Sequence, residues 1–409
     1  MQHDPAIRHR SRLAAAALAA PAVVGLLSIG GPALGAEPVG AEPVGAGRVG
    51  APGAEPPIRD LPYAEPTAGH LLDLYLPATP AGSTPAATPV VVVIHGGAFS
   101  AGGRGDEQAT VQALVGRGYA VADVEYRLSG QEPFPASVRD VKAAVRWLRA
   151  HAQQYGLDPG RVAAWGTSAG GYLAAMLGAS GDQYTGLDDP GLGNPEHSSA
   201  VEAVVDLYGP TDFLQMDSQL AQAGCPAQDA RHDDADSPES RYLHAPIQSV
   251  QALAAAANPI SYVRAAHILP QFLIGHGSAD CTVPAGQSQQ LAAALQQAGA
   301  SVQLDLVNGA GHSDQAIDTG RQDEAITFIT TALTTTTPAA APVALAPAAA
   351  TTPATTPAPA TTPAPAPSSP AAQAQAPTTT VAPAAPTTTR AAAPATTNTT
   401  PPAVKSSGS

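Results

Sequence analysis

Aromatic residues make up only 4% of the 409-residue chain, while 42 residues are proline and 39 glycine. A core spread over the whole length is therefore excluded, and the folded part must be shorter than the chain. Two cysteines rule out a disulfide-built scaffold. The 11 histidines show no H-x-x-x-H or Cys/His clustering, so no metal site is read. Neither a P-loop nor a dinucleotide fingerprint occurs, and the chemistry is expected to need no cofactor. Basic residues are scarce, 19 against 33 acidic ones for a formal net charge of -14, which argues against nucleic acid or anionic lipid as a partner. Apart from residues 13–29, no run is long and apolar enough to cross a bilayer.

The two ends account for much of the bias. The basic "RHRSR" precedes an apolar stretch, Leu13 to Ile29, and then "GGPALGA". That is the layout of a secretory signal, with cleavage expected after Gly35 or Ala36. Pro21 and Gly25 interrupt the stretch and disfavour a membrane anchor, so no span is expected after cleavage. Residues 37–56 form an imperfect Ala/Glu/Pro/Val/Gly repeat that reads as a flexible leader. Residues 334–409 are almost entirely Ala, Pro and Thr with no Asp or Glu, and read as a disordered tail. It suits a cell-wall-associated or glycosylated stalk as well as an inert linker. A secreted destination makes pairing of Cys225 with Cys281 the default. Closing a loop of roughly 56 residues would contribute about 4 kcal/mol on the chain-entropy account.

Between 57 and 333 apolar runs alternate with helical spacing. "VVVVIH" (90–95), "YAVADVEY" (119–126), "RVAAW" (161–165), "VEAVVDLYG" (201–209), "QFLIGHG" (271–277) and "VQLDLVNG" (302–309) read as strands. Residues 106–118, 135–156, 168–178, 285–299 and 320–333 read as helices, the second placing Val138, Val141, Ala144, Val145, Leu148 and Ala152 on one face. Repeated βα units predict an α/β fold, a mostly parallel sheet with helices on both faces, and ligands sit beyond the carboxyl ends of such strands. Residues 182–256 have little periodicity and are expected to form loops and an irregular insertion over that end.

"GTSAG" lies between an expected strand and an expected helix. Glycines two before and two after Ser168 are what a strained strand-to-helix turn needs, and the turn lifts the hydroxyl into the cleft. A serine hydroxyl is a poor nucleophile without a base and a group that orients it. Downstream, "HGSADCTVP" presents Asp280 after one strand and "GAGH" presents His312 after the next, in the chain order Ser, Asp, His. Upstream, the glycine-rich turn of "VVVVIHGGAF" offers the N–H groups of Gly96, Gly97 and Ala98, joined by that of Ala169, as an oxyanion hole. Asp206 and Asp212 are alternative positions for the acid, behind Asp280. His276 reads as structural, Asp314 as solvated loop, and Tyr126 and Arg127 as supports of the loops below the cleft.

These motifs, with "DLYLP", "VEYRLS", "YGPTDF" and "ANPISYV" in order from Asp73 to Leu333, resemble the α/β-hydrolase esterases and lipases related to hormone-sensitive lipase. The closest resemblance is to a secreted bacterial carboxylesterase or feruloyl-esterase-like branch. The resemblance implies an α/β-hydrolase fold, a Ser168–His312–Asp280 triad and an oxyanion hole at the HGG turn. It also implies a bridge from Cys281 to a "GCP" cysteine such as Cys225, tethering the insertion to the acid loop. The chain departs from the pattern at Ala98, where the lipase subgroup usually has a third glycine, and at Thr167, where an acidic residue often precedes the serine. The expected activity is cleavage of small-molecule carboxylic esters with short to medium acyl chains. The alternatives are an amide-cleaving relative, aryl-formamidase or peptidase-like, and a non-catalytic surface binding protein on a relict fold.

Overall fold

The computed structural model describes residues 56–335, apart from 67–68, 80–85, 183–185, 230 and 264–267. The expected signal peptide, the leader before Pro56 and the tail after Thr335 lie outside the described residues. Among the described residues eight strands form one sheet: β1 (Ile58–Pro62), β2 (Leu71–Tyr75), β3 (Thr88–Ile94), β4 (Ala120–Val124), β5 (Leu157–Thr167), β6 (Ala203–Leu207), β7 (Gln271–Gly277) and β8 (Val302–Val307). Their order is β1-β2-β4-β3-β5-β6-β7-β8. From β4 to β8 every pairing is parallel, and β1 and β2 add an antiparallel edge.

The ten helices among the described residues are α1 (Gln108–Gly116), α2 (Ala136–Ala150), α3 (Ala152–Tyr155), α4 (Ala169–Ser180), α5 (Met216–Ala223), α6 (Pro238–Tyr242), α7 (Gln251–Ala256), α8 (Gly286–Gln297), α9 (Gln315–Asp318) and α10 (Gln322–Thr335). The unbroken valine run of β3 is the signature of a strand covered on both sides. Val90, Val92 and Ile94 pack with α2, α4 and α8, while Val91 and Val93 pack with α1 and α10 on the other face. All six apolar positions read on the second helix are buried. That helix is not continuous: it breaks at His151, whose backbone (φ -102°, ψ 11°) ends α2 and starts α3.

The chain moves from β3 outward through α1 to β4, then returns past β3 to β5. The carboxyl ends of β3 and β5 are consequently neighbours, with Ile94 paired to Gly166. The HGG turn and Ser168 leave the sheet side by side at this reversal point, where doubly wound sheets bind ligands. Region 182–256 contains β6 together with short helices and 3-10 turns capped by Asp189, Asp212 and Ser237.

Candidate active site

Ser168 follows β5 and precedes α4 with φ 54° and ψ -120°, a conformation that a residue with a Cβ adopts only when its surroundings compel it. The surroundings do. A Cβ on Gly166 would stand 2.0 Å from the Gly170 carbonyl oxygen, and one on Gly170 would stand 2.1 Å from that of Ile94. The Ser168 N–H donates to Leu207 O at 2.8 Å, fixing the turn to the neighbouring strand.

His312, in the loop after β8, places Nε2 3.0 Å from Ser168 Oγ and Nδ1 2.7 Å from Asp280 Oδ2. A carboxylate only accepts, so the imidazole proton sits on Nδ1 and the Nε2 lone pair faces the serine hydroxyl. Asp280 is fully enclosed. Its Oδ1 accepts the N–H groups of Thr282 and Val283 at 2.8 and 2.9 Å, and His276 Nε2 lies 3.3 Å from Oδ2. Burial works to raise the Asp280 carboxyl, but the bonds and charges of His276 and His312 outweigh it and hold the group well below the usual carboxylate range. The side chain is therefore an anion able to stabilise a developing imidazolium.

Gly96 packs directly on the Ser168 turn, since a Cβ there would lie 3.3 Å from Ser168 Cβ. Gly97 and Ala98 are exposed and, like Ala169 at the start of α4, donate their N–H groups to no acceptor among the described residues. Gly97 has φ 109° and a Cβ there would lie 2.1 Å from Ala101 O, so only glycine fits. Ala98 and Phe99 follow at φ 51° and 60°. Where glycine would be unstrained, Ala98 holds the same turn because Phe99 is locked among Tyr172, Phe213 and Tyr242, stacking on Tyr242 with 4.1 Å between ring centroids. At the other departure, Thr167 donates its hydroxyl to Glu107 Oε1 at 2.6 Å. A carboxylate thus stands behind the Ser168 turn after all, supplied by the residue before α1.

The remaining residues sort cleanly. Asp206 is fully buried in β6, accepts the Gly209 N–H and is raised to about 6 by burial; it does not bond His312. Asp212 caps a 3-10 turn through Leu214 N. Asp314, read as solvated loop, caps α9 through Ala316 N. Tyr126 donates to His95 O and stacks on His95, and Arg127 chelates Asp140; both brace the loops below the turn. Cys225, just after α5, is bridged to Cys281 beside Asp280.

Three contributors escaped the sequence reading. Glu107 is remote from Thr167 in sequence, and only the meeting of α1 with β5 reveals it. Tyr208, at φ 45°, sets its ring edge against His312, 4.8 Å between centroids, and donates its hydroxyl to Asp318. His232 spans Glu239 Oε2 and Thr282 O, both at 3.0 Å, a second tether from the insertion to the acid loop. Among the described residues no cluster of three or more His, Cys, Asp or Glu side chains is arranged to hold a metal ion, and no helix is long and apolar enough to cross a membrane.

A family model described as BD-FAE matches residues 72–295. Esterase LipQ of Mycobacterium tuberculosis is 31% identical over 59% of this chain and 53% of its own length, so the chain spans about half the length of the curated relatives it matches. Among solved structures, a truncated carbohydrate esterase from gut microbiota superposes with a TM-score of 0.59 at 29% identity, covering 69% of this chain and 98% of that one. The butyrate-bound esterase 2 of Thermogutta terrifontis gives a TM-score of 0.51 at 25% identity, over 68% and 94%.

Proposed function

Because the chain belongs to the BD-FAE family of α/β-hydrolase esterases and lipases, we propose that it is a secreted serine hydrolase that cleaves carboxylic esters through an acyl-enzyme. The observation that carries the proposal is the hydrogen-bonded chain from Ser168 Oγ through His312 to Asp280. In this reading Oγ attacks the ester carbonyl carbon while His312 Nε2 takes its proton. The carbonyl oxygen becomes an oxyanion held by the N–H groups of Gly97, Ala98 and Ala169 beside Gly96, and losing one such donor typically costs about 100- to 1,000-fold in turnover. The imidazolium, stabilised by Asp280, returns the proton to the alcohol oxygen as its bond to the acyl carbon breaks. Water, deprotonated by the same nitrogen, then releases the acid and restores Ser168.

The butyrate complex of the Thermogutta esterase supports short acyl chains, and the carbohydrate-esterase likeness makes hydroxyl-rich alcohols worth including as leaving groups. Export rests on the N-terminal signal pattern. The testing experiment is hydrolysis of p-nitrophenyl esters from acetate to palmitate by the mature chain and by Ser168→Ala. The expected result is fastest turnover at short to medium chains, abolished in the variant. Folded protein that cleaves anilides but no ester would move the assignment to amide hydrolysis, and folded protein that cleaves neither would reject the enzyme reading.

A further inference from the structure

His276 is wholly buried at the end of β7, yet every polar atom on its ring is engaged. Nδ1 meets Ser288 Oγ of α8 at 2.7 Å, and Nε2 meets Val283 O at 2.8 Å. The same Nε2 lies 3.3 Å from Asp280 Oδ2, the oxygen that His312 uses. Carbonyl and carboxylate both accept, so Nε2 carries a proton. A burial requirement alone would be met by an apolar residue here. What an apolar residue could not do is put an N–H beside the occupied oxygen of Asp280 while holding Val283, whose own N–H bonds the other oxygen.

Resting on the ester-hydrolase reading above, we infer that His276 is a positioning residue for that reaction: it fixes the Asp280 carboxylate and shares its charge with His312. The sequence is Ser288, His276, Asp280, His312, Ser168, five side chains drawn from α8, β7 and three loops. Two consequences follow. With His276 gone, one side of the Asp280 carboxylate is released and the imidazole it orients loses its aim, which lowers turnover rather than binding. The carboxylate charge also falls on His312 alone, favouring the imidazolium. The base is then protonated to higher pH, and the acidic limb of the pH–rate profile moves upward. The carboxylates acting on His276 are Asp280, in the loop after β7, and Asp206 on the adjacent β6; His312 is faced by Asp280 and by Asp318 of α9, and of these Asp280 is the one that contacts both imidazoles. Asp206 is not hydrogen-bonded to His312, so it does not transmit the second effect.

The test compares His276→Leu, His276→Gln and Ser288→Ala in the mature chain on p-nitrophenyl butyrate, with circular dichroism to establish folding. Gln keeps a donor where Nε2 stands; Leu does not. The expected result for His276→Leu is a kcat lowered by roughly 10- to 100-fold, a KM changed by less than about 2-fold, and an acidic limb shifted to higher pH. His276→Gln should recover most of the turnover and the limb. Ser288→Ala, which removes the Nδ1 partner with little loss of packing, should shift the limb in the same direction by less, and it decides the matter if neither His276 variant folds. An unshifted limb in the folded variants, or equal losses in Leu and Gln, overturns the inference. Those outcomes require active unsubstituted protein, so they are distinct from failure of the esterase reading, in which the unsubstituted chain itself is inert.

Discussion

Asp280 illustrates how single residues divide between chemistry and stability. Its Oδ1 takes two backbone N–H groups and its Oδ2 takes His312, so Asp280→Asn preserves shape while offering His312 Nδ1 an amide donor. The imidazole would then turn its proton to Nε2 and cease to accept from Ser168. Turnover should fall about 10,000-fold, as for the same exchange in serine proteases, with thermal stability changed far less; retention of more than a tenth of kcat would contradict the role. Asp123 is the opposite case. It is buried in β4, accepts the Gly105 N–H with Oδ2 and has no hydrogen-bond partner for Oδ1 among the described residues, and burial, partly offset by the Gly105 bond, raises it to about 7. The carboxyl ionises from pH 3.8 upward in the unfolded chain and only near 7 in the folded one, so the native state loses stability across that window. Asp123→Asn should match the unsubstituted melting temperature near pH 3.5 and exceed it at pH 8. A difference independent of pH would refute the assignment.

At the scale of elements, the strand-to-helix turn is held by backbone contacts so close that side chains cannot enter. Gly170→Ala would drive a Cβ to 2.1 Å from Ile94 O and 2.6 Å from His95 O, separating α4 from β3. We expect a loss of about 3 kcal/mol or more in unfolding free energy together with activity. Gly116→Ala is the control: nothing lies within 4 Å of its Cβ, and the helix should be neutral or slightly stabilised. Denaturant titration of both variants checks the contrast. The glycines around Ser168 were legible because their spacing has only a few structural uses, and the parallel strands because β-branched runs such as Val90–Ile94 carry their own signal. The antiparallel edge was not. β1 is IRDLP, mostly exposed, with no alternation to read, and it is held through Asp73, which takes Arg59, Arg104 and the Asp60 N–H. The helices of the insertion were hidden for another reason. α5, α6 and α7 are too short for a 3.6-residue period to accumulate, and packing on the α2–α4 layer selects them instead.

For the molecule as a whole, the acid loop is the junction between sheet and insertion. The Cys225–Cys281 bridge and His232 hold it from the insertion side, and His276 holds it from the sheet. Reduction of the bridge should cost about 4 kcal/mol of stability on the chain-entropy account and lower kcat before the fold is lost. Non-reducing peptide mapping should recover the two cysteines together, and two free thiols would remove this part of the account. The meeting of Ser168, Asp280 and His312 beside the HGG turn could be read from the chain because each sits just past a strand. Glu107, Tyr208 and His232 could not, since Thr167, Asp318 and Thr282, which they meet, are distant in sequence and come together only in the packed structure. The central claim is that one serine, Ser168, carries the chemistry, and the most direct measurement is intact-mass and peptide analysis after treatment with an alkyl fluorophosphonate. The account predicts a single adduct on Ser168, formed with loss of fluoride and of ester hydrolysis in equal proportion. An adduct on another residue, or full hydrolysis after Ser168 is modified, would contradict it.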